Sequence, residues 1–132
     1  MTSFEPGGTE RQMIELIRRL DPARWLVHLV CKKAGGTWFE RAASAAASVV
    51  EVPVRSFRSP DTARHLWAFA RWCRAERVAV VHTTELPSNI FGLPGAALAR
   101  VPVRIGSRRE INPDKSAIKI AAQRAAYGFA HK

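Results

Sequence analysis

The sequence predicts an α/β fold of the Rossmann-like type, with a parallel sheet and helices on both faces. Four short apolar runs of strand length alternate with longer stretches whose apolar residues recur at helical spacing. Regular alternation of strands and helices is typical of a parallel sheet covered on both faces. Polar turns follow the strands, and ligands of such sheets bind outside the carboxyl ends of the strands.

A glycine turn, Gly7-Gly8, is predicted to lead directly into the first helix. Thr9 has a side chain that can cap this helix, and Gln12 lies three residues further on, where a capping-box partner belongs. Asp21 precedes a proline and ends the helix. Two glycines allow close approach of a ligand, and the free amides of a first helical turn suit a phosphate. By itself the motif also fits a simple tight turn.

The run at 25–31 is mostly apolar, which indicates a first strand covered on both faces. The glycine pair at 35–36 is interpreted as a turn. Thr37 with Glu40 predicts a second capping box that opens a helix to about residue 47.

The segment 48–54 predicts a second strand that ends at Pro53, because proline cannot donate to a ladder. Ser59-Pro60 is expected to begin the next helix, since proline suits a first helical turn. The predicted buried stripe of this helix is Leu66, Phe69, Ala70 and Cys73. Another face carries Arg64, Trp67, Arg71 and Arg74. A basic face around a tryptophan suits a membrane surface, but a solvated face is the simpler interpretation and is favoured.

Residues 78–82 form the third predicted strand, and the polar turn 83–85 follows its carboxyl end. A helix at 88–99 is expected to be weakened or kinked by Gly92, Pro94 and Gly95. The fourth strand is predicted at 101–107. A last helix from Asn112-Pro113 has one apolar side, formed by Ile118, Ala121, Ala122, Ala125 and Phe129.

Composition narrows the classes of protein. The chain has 132 residues, of which 47% are apolar, so one globular domain over 1–132 is expected. The net charge of +10 indicates an anionic partner: nucleic acid, anionic lipid or a phosphorylated ligand. Cys31 and Cys73 lack metal-ligand spacing and are predicted to be buried free thiols. With no secretory leader or membrane span recognised, a cytoplasmic location is expected, with the inner face of the plasma membrane as the alternative.

Three stretches together resemble a known family: FEPGGTERQ at 4–12, VVHTTELP at 80–87 and VPVRIGSRR at 101–109. In order and spacing they resemble the N-terminal, acceptor-side domain of family 4 glycosyltransferases with the B-type, double-Rossmann fold. The resemblance covers nearly the whole chain. It implies transfer of a sugar from a nucleotide-sugar to a saccharide or lipid-linked acceptor, in polysaccharide or glycolipid synthesis, without a metal or other cofactor.

The resemblance also implies roles for the glycine turn and for the rim of the sheet. Gly7 and Gly8, with Thr9, would approach the donor diphosphate, where backbone amides stabilise the charge that grows on the leaving phosphate. His82 fits the first position of a pair of histidines common in the family, and Thr84 occupies the second.

Thr84 and Glu85 are the candidate catalytic residues, expected to contact the sugar or the acceptor, although general-base work by either does not match the family pattern. Arg108 and Arg109 would bind an anionic acceptor, with a structural role for the pair equally favoured.

Only three residues precede Phe4, fewer than the usual ~5–6 of a first strand, which lies centrally in a doubly wound sheet. The chain also ends before a second, nucleotide-binding domain. We therefore expect a fragment of marginal stability that is inactive alone. The alternatives are a basic module for nucleic acid or an anionic membrane, and a nucleotide-sugar epimerase. Nucleic acid is disfavoured because the arginines form no concentrated stripe and no known motif.

Overall fold

The computed structural model describes residues 4–54, 59–107 and 117–131. The predicted α/β class is confirmed: short parallel strand pairs are combined with five described helices. The chain divides into two compact units, unit 1 at Met1–Pro53 and unit 2 at Val54–Lys132.

Unit 1 contains two helices and one strand pair. The helices are α1 (Gly8–Arg19) and α2 (Phe39–Ala43), and the strands are β1 (His28–Cys31) and β2 (Ser48–Glu51). The strands pair in parallel, with His28 opposite Ser48 and Cys31 opposite Glu51. The core of this unit is formed by Phe4, Ile14, Ile17, Leu29, Cys31 and Ala42, and Val49 of β2 is partly buried against it.

Unit 2 repeats a helix-then-strand order. Its elements are α3 (Pro60–Ala75), β3 (Val80–Thr83), α4 (Leu86–Leu98), β4 (Val103–Gly106) and α5 (Ala117–Tyr127). β3 and β4 pair in parallel, with Val80 opposite Val103 and Thr83 opposite Gly106.

Both α3 and α4 end in the same way. The residue after each C-cap, Arg77 or Arg100, has a positive φ, 51° and 60° respectively. The next amide then bonds back into the helix, from Val78 to the Cys73 carbonyl and from Val101 to the Ala96 carbonyl, both at 2.9 Å. This is the Schellman arrangement, in which glycine normally takes the left-handed position. It turns each helix sharply toward the strand that follows.

The sequence predicted one continuous parallel sheet, whereas the described strands form two separate pairs, β1-β2 and β3-β4. In a doubly wound fold, the strand that precedes the first helix lies between the second and the fourth strands of the sheet. The described residues contain no strand before α1, so no described strand joins the two pairs.

α4 is the helix around which unit 2 is packed. It is buried on most of its surface and contacts α3, α5 and both strands of the unit. Its glycines permit close approach: a Cβ on Gly95 would lie 2.6 Å from the Phe69 ring, and one on Gly92 would lie 2.6 Å from the Thr83 methyl group. The helix runs from Leu86 to Leu98 with Pro94 inside it, so the residues predicted to weaken it do not end it.

Several local predictions need correction. Thr9 is not the cap of α1, because that helix begins at Gly8 with Gly7 as its N-cap. Thr37 does not cap α2, which begins at Phe39 and ends at Ala43; its hydroxyl instead donates to the Glu5 carboxylate at 3.3 Å. The predicted apolar side of the last helix is also wrong, since Ile118 is 69% exposed while Gln123 and Ala126 are buried. Its predicted start, Asn112-Pro113, lies outside the described residues.

No helix in the described parts of the chain has the length and apolar character needed to cross a bilayer.

Candidate functional site

The glycine corner of unit 1 starts α1 without a side-chain cap. Gly7 is the N-cap, in an extended conformation (φ −159°, ψ 162°). The amides of Gly8, Thr9 and Glu10 therefore have no acceptor within the helix. A Cβ on Gly8 would meet no atom within 4 Å, whereas one on Gly7 would lie 2.3 Å from a Glu10 carboxylate oxygen. The corner is open beside Gly8 and flanked by a carboxylate beside Gly7.

The second glycine pair supports the segment that leads into this corner. Gly36 has a φ of 115°, and a Cβ there would lie 2.7 Å from the backbone carbon of Phe4. The Phe4 amide donates to the Gly35 carbonyl at 3.3 Å, and its carbonyl accepts from the Trp38 amide at 2.9 Å. These contacts explain why glycine is needed at position 36: the backbone of Phe4 occupies the space of a side chain. The predicted turn is therefore also a support for residues 4–5.

A buried polar network lies at the carboxyl ends of β3 and β4. Asn89 of α4 is fully buried, and its amide nitrogen donates to the Ser107 carbonyl at 3.1 Å. Its amide oxygen accepts from the Thr83 hydroxyl at 2.6 Å. The Thr83 hydroxyl also lies 3.2 Å from the Ile105 carbonyl of the neighbouring strand. The Asn89 side chain thus holds the carboxyl ends of both β3 and β4 in place.

The same network continues to α5. The Tyr127 hydroxyl lies 3.2 Å from the Asn89 amide nitrogen and 3.1 Å from the Gln123 amide nitrogen. Because the Ser107 carbonyl only accepts, the Asn89 nitrogen must face it, which fixes Asn89 as a donor to Tyr127 as well. A Cβ on Gly106 would lie 2.9 Å from the Tyr127 ring, so this glycine lets the ring pack directly against the end of β4.

His82 and Ser107 form a second link between the strands. The His82 Nε2 atom and the Ser107 Oγ atom lie 2.8 Å apart in a partly buried contact. The predicted site residue His82 is therefore held in place by the residue that follows β4. Since Asn89 also binds the Ser107 carbonyl, both the side chain and the backbone of Ser107 are fixed.

Thr84 and Glu85 form the turn between β3 and α4. The Oγ atom of Ser88 accepts from the Thr84 and Glu85 amides at 3.2 Å and 3.1 Å and donates to the Glu85 carbonyl at 2.9 Å. Glu85 is the N-cap of α4 and forms a reciprocal capping box with Ser88. Thr84 is only 2% exposed, and its hydroxyl has no hydrogen-bond partner among the described residues. A buried hydroxyl in that state is costly unless a ligand or water completes it.

The structure brings three of the predicted site residues, His82, Thr84 and Glu85, together at one end of the strand pair in unit 2. Gly7, Gly8 and Thr9 belong to unit 1. Arg108 and Arg109 lie outside the described residues. Sequence reasoning missed the network residues that hold this turn. Asn89 carried the clearest available signal, an amide side chain in an otherwise apolar helix. The missed residues are Ser88, Asn89, Ser107, Gln123 and Tyr127.

The two cysteines are free and buried, as predicted. Burial raises the pKa of the Cys73 thiol from 9.0 to about 12. Burial, reinforced by the nearby Glu51 carboxylate, raises the pKa of the Cys31 thiol as well. Both thiols are therefore protonated at neutral pH, which suits packing rather than nucleophilic chemistry. Among the described residues, no group of three metal-ligating side chains comes together.

Comparison with known families identifies the class of protein. The model of the glycosyl transferase 4-like domain matches residues 7–132. The chain therefore belongs to the glycosyl transferase 4-like family, and the resemblance inferred from the three sequence stretches is confirmed. Comparisons with curated proteins and with solved structures gave no significant match.

Proposed function

We propose that the chain is the acceptor-side part of a glycosyltransferase that moves a sugar from a nucleotide-sugar to a saccharide or lipid-linked acceptor. The family match over residues 7–132 is the observation that carries this proposal. In such a transfer, the acceptor oxygen bonds to the anomeric carbon and the bond from that carbon to the diphosphate breaks. The acceptor proton passes to the leaving diphosphate. The enzyme as a whole, with its nucleotide-binding part, performs the reaction, and polysaccharide or glycolipid synthesis in the cytoplasm is the proposed setting.

Two sites on this chain divide the work in our proposal. The amides of the glycine corner at Gly7 and Gly8 meet the donor diphosphate and stabilise its growing charge. The Thr84 hydroxyl binds a hydroxyl of the sugar or acceptor, because its burial without a described partner leaves it ready for one. Glu85 orients the turn that carries Thr84, through its capping box with Ser88. His82, tied to Ser107, borders the same turn.

Transfer by the complete gene product is the first test. The protein is incubated with a panel of nucleotide-sugars and membrane or saccharide acceptors, and release of the nucleoside diphosphate is measured together with labelled product. Acceptor-dependent transfer supports the proposal. Failure to transfer from every donor, by protein shown to be folded, would contradict it.

Two variants then test the roles of individual residues. Gly8→Val is expected to lower transfer roughly 100-fold, while open space at Gly8 keeps the unfolding midpoint nearly unchanged. Ala63→Val, at an exposed site in α3, is the control for placing valine early in a helix.

Thr84→Val removes the buried hydroxyl with little change of shape. It is expected to leave stability unchanged or slightly raised, because no described hydrogen bond is lost, while transfer falls at least tenfold, the effect of about 1.4 kcal/mol in a transition state. Thr84→Ser should restore much of the transfer. Full activity in Thr84→Val would remove Thr84 from the site.

A further inference from the structure

The exposed face of α3 carries three arginines and a tryptophan in one line along the helix. The spacing of 3, 4 and 3 residues returns each side chain to the same side of the helix. All four positions are exposed, and the Trp67 side chain is 53% exposed. We call this set the arginine–tryptophan stripe; it consists of Arg64, Trp67, Arg71 and Arg74.

The opposite face of α3 fixes the outward direction of the stripe. Phe69, Ala70 and Cys73 are buried, and the Phe69 ring packs at a tilt against the Phe91 ring of α4 with centroids 5.6 Å apart. α3 cannot turn its stripe inward without losing this packing. The stripe is therefore a permanent surface of unit 2.

The surroundings of the stripe leave its positive charge largely unopposed. Three exposed alanines, at 63, 68 and 75, lie next to members of the stripe along the chain. Arg64 lies 3.9 Å from Asp61, but both side chains are mostly solvent-exposed, and such pairs contribute little. The Arg74 guanidinium donates to the Leu98 carbonyl and lies 6.0 Å from the centre of the Trp67 ring. Arg74 thus holds the indole at the centre of the basic face.

We propose that the arginine–tryptophan stripe docks the protein on an anionic lipid bilayer, with α3 lying flat on the surface. An indole ring is stable at the level of lipid headgroups because it has an apolar body and a polar N–H group. Arginines beside it pair with lipid phosphates while their apolar stems cover the acyl boundary. A helix of 16 residues offers about 24 Å of such contact.

A duplex nucleic acid fits the stripe less well. Its affinity would come from phosphates, and the large exposed indole between the arginines would face the charged backbone rather than the bases. The bilayer uses the exposed indole as well as the arginines beside it, and this is why we commit to it. This proposal does not depend on the proposed sugar transfer.

Vesicle flotation tests the proposal with the full chain. Vesicles of phosphatidylcholine are compared with vesicles of equal parts phosphatidylcholine and phosphatidylglycerol. We expect binding to the anionic vesicles only. The double variant Arg64→Gln/Arg71→Gln is expected to weaken this binding roughly 30-fold, since each arginine near an anionic membrane contributes a comparable share of the electrostatic attraction. Trp67→Ala is also expected to weaken binding to the anionic vesicles, although this change leaves the net charge unaltered.

The matched control is Arg18→Gln/Arg19→Gln in α1, which removes the same charge from two exposed positions outside the stripe. It should bind nearly as well as the original chain. Equal weakening by both double variants would show an effect of net charge alone and would overturn the proposal. Tight binding of duplex DNA that is lost in the stripe variant, without vesicle binding, would also overturn it.

Discussion

The first helix of unit 1 begins differently from the first two helices of unit 2. In unit 1, α1 starts on Gly7 with no side-chain cap. In unit 2, the Ser59 hydroxyl accepts from the Asp61 amide at the start of α3, and Glu85 with Ser88 closes the start of α4. α3 and α4 thus use side chains at their own N-termini to bind first-turn amides, whereas α1 leaves its first amides to solvent or to a ligand. This difference indicates that an anion can bind at the start of α1 without displacing a protein group.

The two units also differ in how they use unusual backbone. Unit 1 places glycines at its positive φ angles, at 35 and 36, and Gly36 packs against the backbone of Phe4. Unit 2 places arginines at the positive φ positions after α3 and α4, at 77 and 100, where an exposed long side chain is accommodated. Close packing demands glycine in the first case, whereas the second requires only that the helix stop.

Gly36→Ala should have the largest effect on stability. The added Cβ meets the Phe4 backbone at 2.7 Å and φ is 115°, so we expect a loss of about 3 kcal/mol. Urea unfolding followed by circular dichroism measures it. Gly8→Ala, at an open position with no positive φ, is the control and should change stability by much less. Equal effects of the two would contradict the role given to the contact with Phe4.

Asn89→Leu should be the next in size. The change leaves the Ser107 carbonyl and the Thr83 hydroxyl without their amide partner in a buried place. We expect a loss of about 2 kcal/mol, measured by thermal and urea unfolding. Ser88→Ala, one position away, tests the capping box without touching the network. If Asn89→Leu stabilised the protein, the network would not be what holds the strand ends together.

The smallest effect separates the two kinds of helix start. Ser59→Ala removes the side-chain cap of α3 and should cost about 1 kcal/mol. Gly7→Ala should change stability by a few tenths of a kcal/mol, because glycine offers no side-chain cap to lose and the Glu10 carboxylate can move aside. Denaturant midpoints of the two variants give the comparison. A loss at Gly7 as large as that at Ser59 would contradict the contrast between the units.

Sequence reasoning located the strands and helices because their periodicity is local. The apolar runs placed all four strands, although each observed strand is shorter than predicted. The predicted caps at Thr9 and Thr37 were both wrong. The prediction for Thr37 failed for a non-local reason, since the Thr37 hydroxyl donates to the Glu5 carboxylate, 32 residues away. The last helix was turned the wrong way because its polar Gln123 is drawn inward by the network with Tyr127.

The turn at 83–85 was found as a candidate site because strand ends are general ligand positions. The residues that hold it could not be found in the same way. Asn89 and Tyr127 are separated by 38 positions and meet only after α4 and α5 pack. No local sequence pattern predicts this contact. The sequence alone predicts which polar residues form the turn at 83–85, whereas the contacts that hold this turn arise only from the tertiary structure.

The burial of α4 on nearly every side has a consequence for how unit 2 comes apart. Two strands and two other helices of the described chain rest on this one helix, so none of them can detach far without uncovering its apolar surface. Partial opening at the rim is therefore opposed by the whole inner layer, and the amide protons of α4 should be the slowest in unit 2 to exchange with deuterated solvent.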